Sequence, residues 1–369
     1  MLWYLIICTL MLYPFLLIIV SAGKRVSIQK VALQISCIIL AFFMAFRKYT
    51  VGVDTKYYCY VFEQLRDVSI WKVFSTVTYG SPGSNWVFDF EPGYRLYNKV
   101  LSFFSSSAQI VTIANSCLII ALLYVLIRRN SKDYYLSIWL YLTLGIFQTD
   151  MNVARNAISI FICYLAIDKI KERKVWQYMS LVLIAALIHK TALVFIPLYF
   201  ILKRPFFSGK KMAAAIGVSV LTGLIFSKFG IYIAYMLPGK LGRYLTVSNE
   251  KMESLLVGGF YAFLVVFILI MMNQTERKNI FQKSSIGAWM FTLNLCCFGA
   301  NIGLKAAARM AALFGPYIIL FIPEIISMIP NKKRRRWVTL LVIIGCAVQY
   351  ILRMKVNNIG GTLPYEFFW

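Results

Sequence analysis

The chain has 369 residues, a formal net charge of +25, 60% hydrophobic side chains and only 14% charged ones. Soluble domains sit nearer half apolar and about a quarter charged, and here the mean hydropathy of +0.72 is concentrated in long apolar runs rather than amphipathic stripes. A soluble globular protein is excluded, and so is a β-barrel, because the runs carry Pro, Gly and Ser without strand-like alternation; an all-α, polytopic integral membrane protein is implied.

The first run, 2–20, has no basic residue before it, and Lys24 and Arg25 follow it directly, as at the end of a retained span rather than a signal peptide. Further apolar segments are predicted at 28–46, 109–127, 134–148, 153–168, 175–188, 191–202, 212–236, 257–273, 284–304, 307–329 and 337–352, which makes about 12 transmembrane helices in one polytopic domain over 1–369. Basic connections at 24–30, 128–132, 169–174, 203–211, 277–283 and 332–336 hold more than half of the Lys and Arg. They recur every second segment, so all can share one face, and the positive-inside rule assigns that face to the cytoplasm. Both termini are then expected outside a cytoplasmic membrane. The basic residues are short loops between spans, so nucleic acid is not an expected partner. The eight cysteines show no metal-ligand spacing and mostly lie in apolar runs, where they pack; no metal or cofactor is expected.

The unusual charges fall on the other side. The longest outer segment, about 47–108, opens with "RKYTVGVDTKYYCYVF", which brings Arg47, Asp54 and Tyr57 to the end of a membrane helix. It continues through "VSIWKVF" at 68–74, a candidate interfacial amphipathic helix, and a Gly/Ser/Pro-rich turn to "DFEPGYRLYNKV", with Glu91 and Tyr94. Most of these rings suit an interfacial anchoring belt; carboxylates beside rings that stack on sugars also suit a carbohydrate site. Next comes "FQTDMNVARNAISI" at 147–160. The apolar arms on either side are about fifteen residues, or roughly 22 Å of helix at 1.5 Å per residue, against a hydrocarbon core of about 30 Å. Gln148, Asp150, Asn152 and Arg155 are therefore expected in a polar recess below the outer surface, with Asn152 and Arg155 facing the same way. The hairpin "LIAALIHKTALVFIPLYF" at 183–200 puts the single histidine, His189, in a similar recess beside Lys190 and Thr191. Lone histidines are often structural, but an imidazole titrates near neutrality and suits proton transfer.

Two more cationic stretches follow. A second outer loop, 237–256, carries Arg243 in "GKLGRYL". In "NIGLKAAARMAALFGPY" at 301–317, Arg309 lies among alanines that let helices approach closely, with Lys305 one turn earlier on the same face. An ionisable group in apolar sequence usually lines a cavity or finds a partner. Several arginines on one outer recess suit an anion, because guanidinium binds phosphate oxygens through two parallel hydrogen bonds. A membrane-embedded anion with its head outside is most simply a lipid-linked phosphate or pyrophosphate.

These stretches, together with "EPGYRLYN", "AARMAALFGPYIILFIP" and "LPYEFF", resemble in content and order the EpsG family of multispanning membrane proteins, grouped with Wzy-type polysaccharide polymerases. The resemblance implies a GT-C-like membrane glycosyltransferase, independent of metal. It would join capsular or exopolysaccharide repeat units carried as oligosaccharides on undecaprenyl pyrophosphate at the outer leaflet. Membrane lipids and other polysaccharide assembly proteins, such as a flippase and a chain-length regulator, would be its partners. On this expectation Arg155 and Arg309, with Arg243, take the pyrophosphate. His189 is the candidate base, Asp54 and Glu91 are rival bases or hold arginines and sugars, and Arg47, Asn152, Lys305, Tyr57 and Tyr94 are further substrate contacts. A lipid-linked oligosaccharide flippase shares many spans but needs polar access from both leaflets. A membrane O-acyltransferase would draw its acyl donor from the cytoplasm, which fits poorly with an outer-facing His189. A non-catalytic assembly partner would tolerate changes at all these residues.

Overall fold

A computed structural model describes residues 25–74, 90–206, 208–236 and 251–369. These residues are all-α, apart from an isolated β-bridge between Arg47 and Phe367. They fall into two compact units, Met1–Tyr199 with Gly345–Trp369, and Phe200–Ile344. Five helices among them are long and apolar enough to cross a membrane: Ile28–Ala45, Gln109–Asn130, Gly209–Phe229, Lys305–Ser327 and Lys332–Asn357. The chain thus has the helices of a multi-pass membrane protein. The expectation of about 12 spans counts several segments that are shorter or broken, and the run 2–20 lies outside the described residues.

In the first unit, α1 (Arg25–Ala45) leads into the outer segment, which is mostly helical: α2 (Thr55–Arg66) and α3 (Pro92–Leu101). The stretch 68–74, expected as an amphipathic helix, makes only a single 3-10 turn at Lys72–Phe74. Val73 is buried while Ile70, Trp71 and Phe74 are exposed. α2 is the amphipathic element, with Tyr58, Val61, Phe62 and Leu65 turned inward.

α4 (Gln109–Asn130) ends on Arg128 and Arg129, cations placed where a helix C-terminus favours them. α5 (Tyr134–Thr143) is capped by Asp133, whose side chain accepts from the Leu136 amide at 3.0 Å. The single segment expected over 134–148 is broken by Gly145, which adopts a left-handed φ of 78°, open to glycine at no steric cost. α6 (Ile146–Asn152) and α7 (Ala154–Lys171) meet at Val153, whose φ −102° and ψ 52° are non-helical. α8 (Val175–Ile188) ends at His189, which is extended (φ −151°, ψ 117°) and leads through a 3-10 turn, Lys190–Val194, into α9 (Phe195–Leu202). α1 packs on α4, α4 on α7 and α7 on α8, while α3 lies against α2 and α8.

The second unit comprises α10 (Gly209–Met236), α11 (Lys251–Ile270), α12 (Gln274–Lys283), α13 (Ser285–Ala300), α14 (Lys305–Phe314), α15 (Ile318–Ser327) and the start of α16 (Lys332–Asn357). α13 is its centre, packed against α10, α11, α14 and α15. Arg334, in the basic stretch that opens α16, pairs with Glu276 of α12 at 2.5 Å.

Candidate functional site

Three of the residues singled out in sequence meet in the first unit. Glu91 precedes Pro92 and has the extended backbone (φ −60°, ψ 144°) that a following proline enforces. Its carboxylate does not cap its own helix. It reaches across to the α8–α9 hairpin and to α7 instead. Oε1 lies 3.2 Å from Nδ1 of His189 and accepts the Lys190 amide at 3.1 Å. Oε2 accepts from Nη1 of Arg155 at 2.5 Å. The docking of α3 on α8 depends on Gly93, where a Cβ would stand 2.6 Å from the Leu187 carbonyl oxygen.

The cluster is sheltered but not fully enclosed: side-chain exposures are 9% for Glu91, 18% for Arg155 and 21% for His189. The Arg155 guanidinium sits over the Phe90 ring at 3.7 Å, with Tyr94 at 5.5 Å, a cation–π contact that holds it flat. Its Nε is buried with no hydrogen-bond partner, and Arg155 also acts on the Tyr58 hydroxyl. Burial alone would raise the Glu91 carboxyl. The hydrogen bonds from His189 and the Lys190 amide and the Arg155 charge outweigh it and hold the group down at about 2.

A second strand of contacts ties the outer segment to the α6–α7 break. Asn152 accepts the Asp54 amide at 2.7 Å. This brings Asp54 beside Arg155, whose charge acts on it; burial nevertheless dominates and raises the Asp54 carboxyl. Gly52 makes the turn possible, with φ 93°. Asn152 and Arg155 do both serve the outer segment, but across the break at Val153 rather than from one continuous helix face. Gln148 and Asp150, expected in the open recess, are buried instead: Gln148 donates to the Tyr350 hydroxyl at 2.7 Å and Asp150 accepts from Tyr141 at 2.8 Å.

Arg47 is only 2% exposed. It donates to the carbonyls of Met44 and of Met151, the latter at 2.8 Å, and to Ser116 at 3.3 Å. It joins the end of α1 to α4 and α6. Tyr94 is wholly buried, accepts from Asn115 at 2.9 Å and supports Arg155 from below, whereas Tyr57 is exposed. Lys305 and Arg309 belong to the second unit, both on the exposed side of α14, with Ala307 and Ala311 turned inward. Arg243 lies outside the described residues.

Sequence reading missed the Phe90 platform, the Lys190 amide and the segment 358–369. That segment folds back on the exit of α1. Lys48 pairs with Glu366 at 2.9 Å, Tyr365 donates to the Phe43 carbonyl, and the Gly52 amide donates to the Gly361 carbonyl at 3.1 Å. The adjacent "GG" at 360–361, both with positive φ, is the signal that could have marked the turn.

Chemically, the cluster offers an imidazole fixed through one nitrogen by a permanent carboxylate, and a guanidinium paired with the same carboxylate. That combination can take a proton and stabilise an anion in the same place. Comparison with protein families gives a match to the EpsG family model over residues 30–367. No curated protein and no solved structure matches the chain.

Proposed function

The chain belongs to the EpsG family, a membership that ties it to exopolysaccharide biosynthesis, and on that premise we propose that it is the polymerase. It joins oligosaccharide repeat units, carried on undecaprenyl pyrophosphate at the outer leaflet, by metal-independent glycosyl transfer. The observation that carries this reading is the single Glu91 carboxylate bonded to both Arg155 and His189.

The reaction needs a base for the acceptor hydroxyl and a positive charge for the departing diphosphate. With Nδ1–H donated to Glu91, the lone pair of His189 lies on Nε2 and receives the hydroxyl proton. The hydroxyl oxygen then forms a bond to the anomeric carbon as the bond from that carbon to the phosphate oxygen breaks. The electron pair stays on the lipid diphosphate, whose charge grows toward the transition state, and the Arg155 guanidinium meets it there. Glu91, ionised throughout the physiological range, is the group that orients the other two rather than the base.

Two results test the reading in cells. Removing the protein should leave single repeat units on lipid at the outer leaflet, with no polymer. Units trapped at the inner leaflet would point to a flippase and contradict it.

A further inference from the structure

Asp54 stands at the N-cap position of α2 but does not cap it: its backbone is helical (φ −90°, ψ −12°) and its side chain accepts no amide of the helix. Its own backbone groups are committed. Its amide donates to Asn152 at 2.7 Å, its carbonyl accepts the Tyr57 amide at 3.0 Å, and Thr55 closes the turn by donating to the Val51 carbonyl at 2.9 Å. The left-handed Gly52, whose amide donates to Gly361, fixes the approach. The carboxylate is thus held rigidly, half-buried, and it accepts no hydrogen bond from any described side chain or amide. Its oxygens are not sealed from solvent, so the fold presents the carboxylate rather than burying it.

Its neighbours narrow what completes it. Arg155 acts on it electrostatically but already carries a bonded carboxylate in Glu91, so Asp54 is not required to neutralise that guanidinium. A phosphate would be repelled. A neutral donor is wanted beside a site that transfers glycosyl groups, and α2 carries the exposed Tyr57 and Tyr60 one turn apart, with Lys56 over the Tyr57 ring. We infer that Asp54 accepts a hydrogen bond from a hydroxyl of the acceptor sugar and so sets which hydroxyl is presented for transfer. This rests on the polymerase reading and adds an acceptor subsite to it.

The test uses the full-length protein in lipid nanodiscs, a synthetic lipid-diphosphate oligosaccharide as donor and a lipid-free oligosaccharide as acceptor. Asp54→Asn should raise the acceptor KM by about tenfold or more, as expected when a hydrogen bond to a substrate hydroxyl is lost. Donor KM should stay near the wild-type value. Asp54→Glu should recover part of the loss. Acceptors lacking one hydroxyl at a time should show a single position whose removal penalises the wild type but not Asp54→Asn. Unchanged acceptor KM, or an equal rise in donor KM, overturns the inference while leaving the polymerase reading standing. Should Asp54→Asn fail to fold, the deoxygenated acceptors still decide on the wild type: no sensitive position overturns it. A wild type that elongates nothing removes the polymerase reading and this assignment together.

Discussion

Oε1 of Glu91 and Nδ1 of His189 lie 3.2 Å apart although 98 positions separate them in sequence. The contact makes the two residues one functional unit, so their losses should not add. Glu91→Gln should lower the elongation rate by about 10²-fold, near the lower end of what a positioned base contributes. His189→Ala should lower it further, and the double variant should fall close to His189→Ala alone. A double-mutant cycle on initial rates checks this; losses that simply multiply would separate the two residues.

The same contact depends on a close helix approach. At Gly93 a Cβ would meet the Leu187 carbonyl oxygen at 2.6 Å, and backbone atoms cannot swing aside. Gly93→Ala should force α3 off α8, costing about 1–3 kcal/mol as overpacking does. The thermal midpoint should drop, and activity should drop with it because Glu91 is carried away from the hairpin. A variant with unchanged stability and activity would show that the approach is not required.

Acid dependence gives a third prediction. The folded protein depresses the Glu91 carboxyl from 4.5 to about 2. A depressed carboxylate contributes stability that is complete above its unfolded value and is lost as pH falls through its folded one. The stability difference between wild type and Glu91→Gln should therefore be constant above about pH 4.5 and shrink toward pH 2. Thermal midpoints measured across that range read it; a difference that grows on acidification has the wrong sign.

Arg309, on the exposed side of α14 in the second unit, supplies a fourth. Arg309→Lys keeps the charge but loses the paired donors that phosphate oxygens accept. Polymer yield should fall at a normal protein level, and full yield would remove Arg309 from the substrate contacts.

Much of the helical order was legible because apolar runs and basic loops report it directly: α4, α7 and α8 begin within a residue or two of their expected starts. Breaks inside runs were not legible. Gly145 divides the run expected over 134–148 into α5 and the start of α6, and hydropathy does not register a change of backbone conformation within apolar sequence. The site was legible as separate residues but not as a cluster. Glu91, Arg155 and His189 each stood out as ionisable groups near apolar sequence, yet their pairing is long-range and depends on how α3 docks. Arg47, expected among the substrate contacts, is buried, and the fold uses its donors to clasp α1 to the carbonyl of Met151. The position of segment 358–369 against the exit of α1 likewise follows from tertiary contacts that no local pattern announces.

The most direct test is the initial rate at which purified protein elongates a synthetic lipid-diphosphate oligosaccharide, compared between the wild type and Arg155→Lys. Lysine preserves the charge but cannot keep a planar group over Phe90, hold Glu91 and still offer paired donors to a diphosphate. The wild type should build polymer, and Arg155→Lys, folded and present at the same level, should be slower by about 10²-fold or more, the scale of a lost transition-state donor. A wild type that builds no polymer, or an Arg155→Lys protein that builds it as fast, would contradict the assignment.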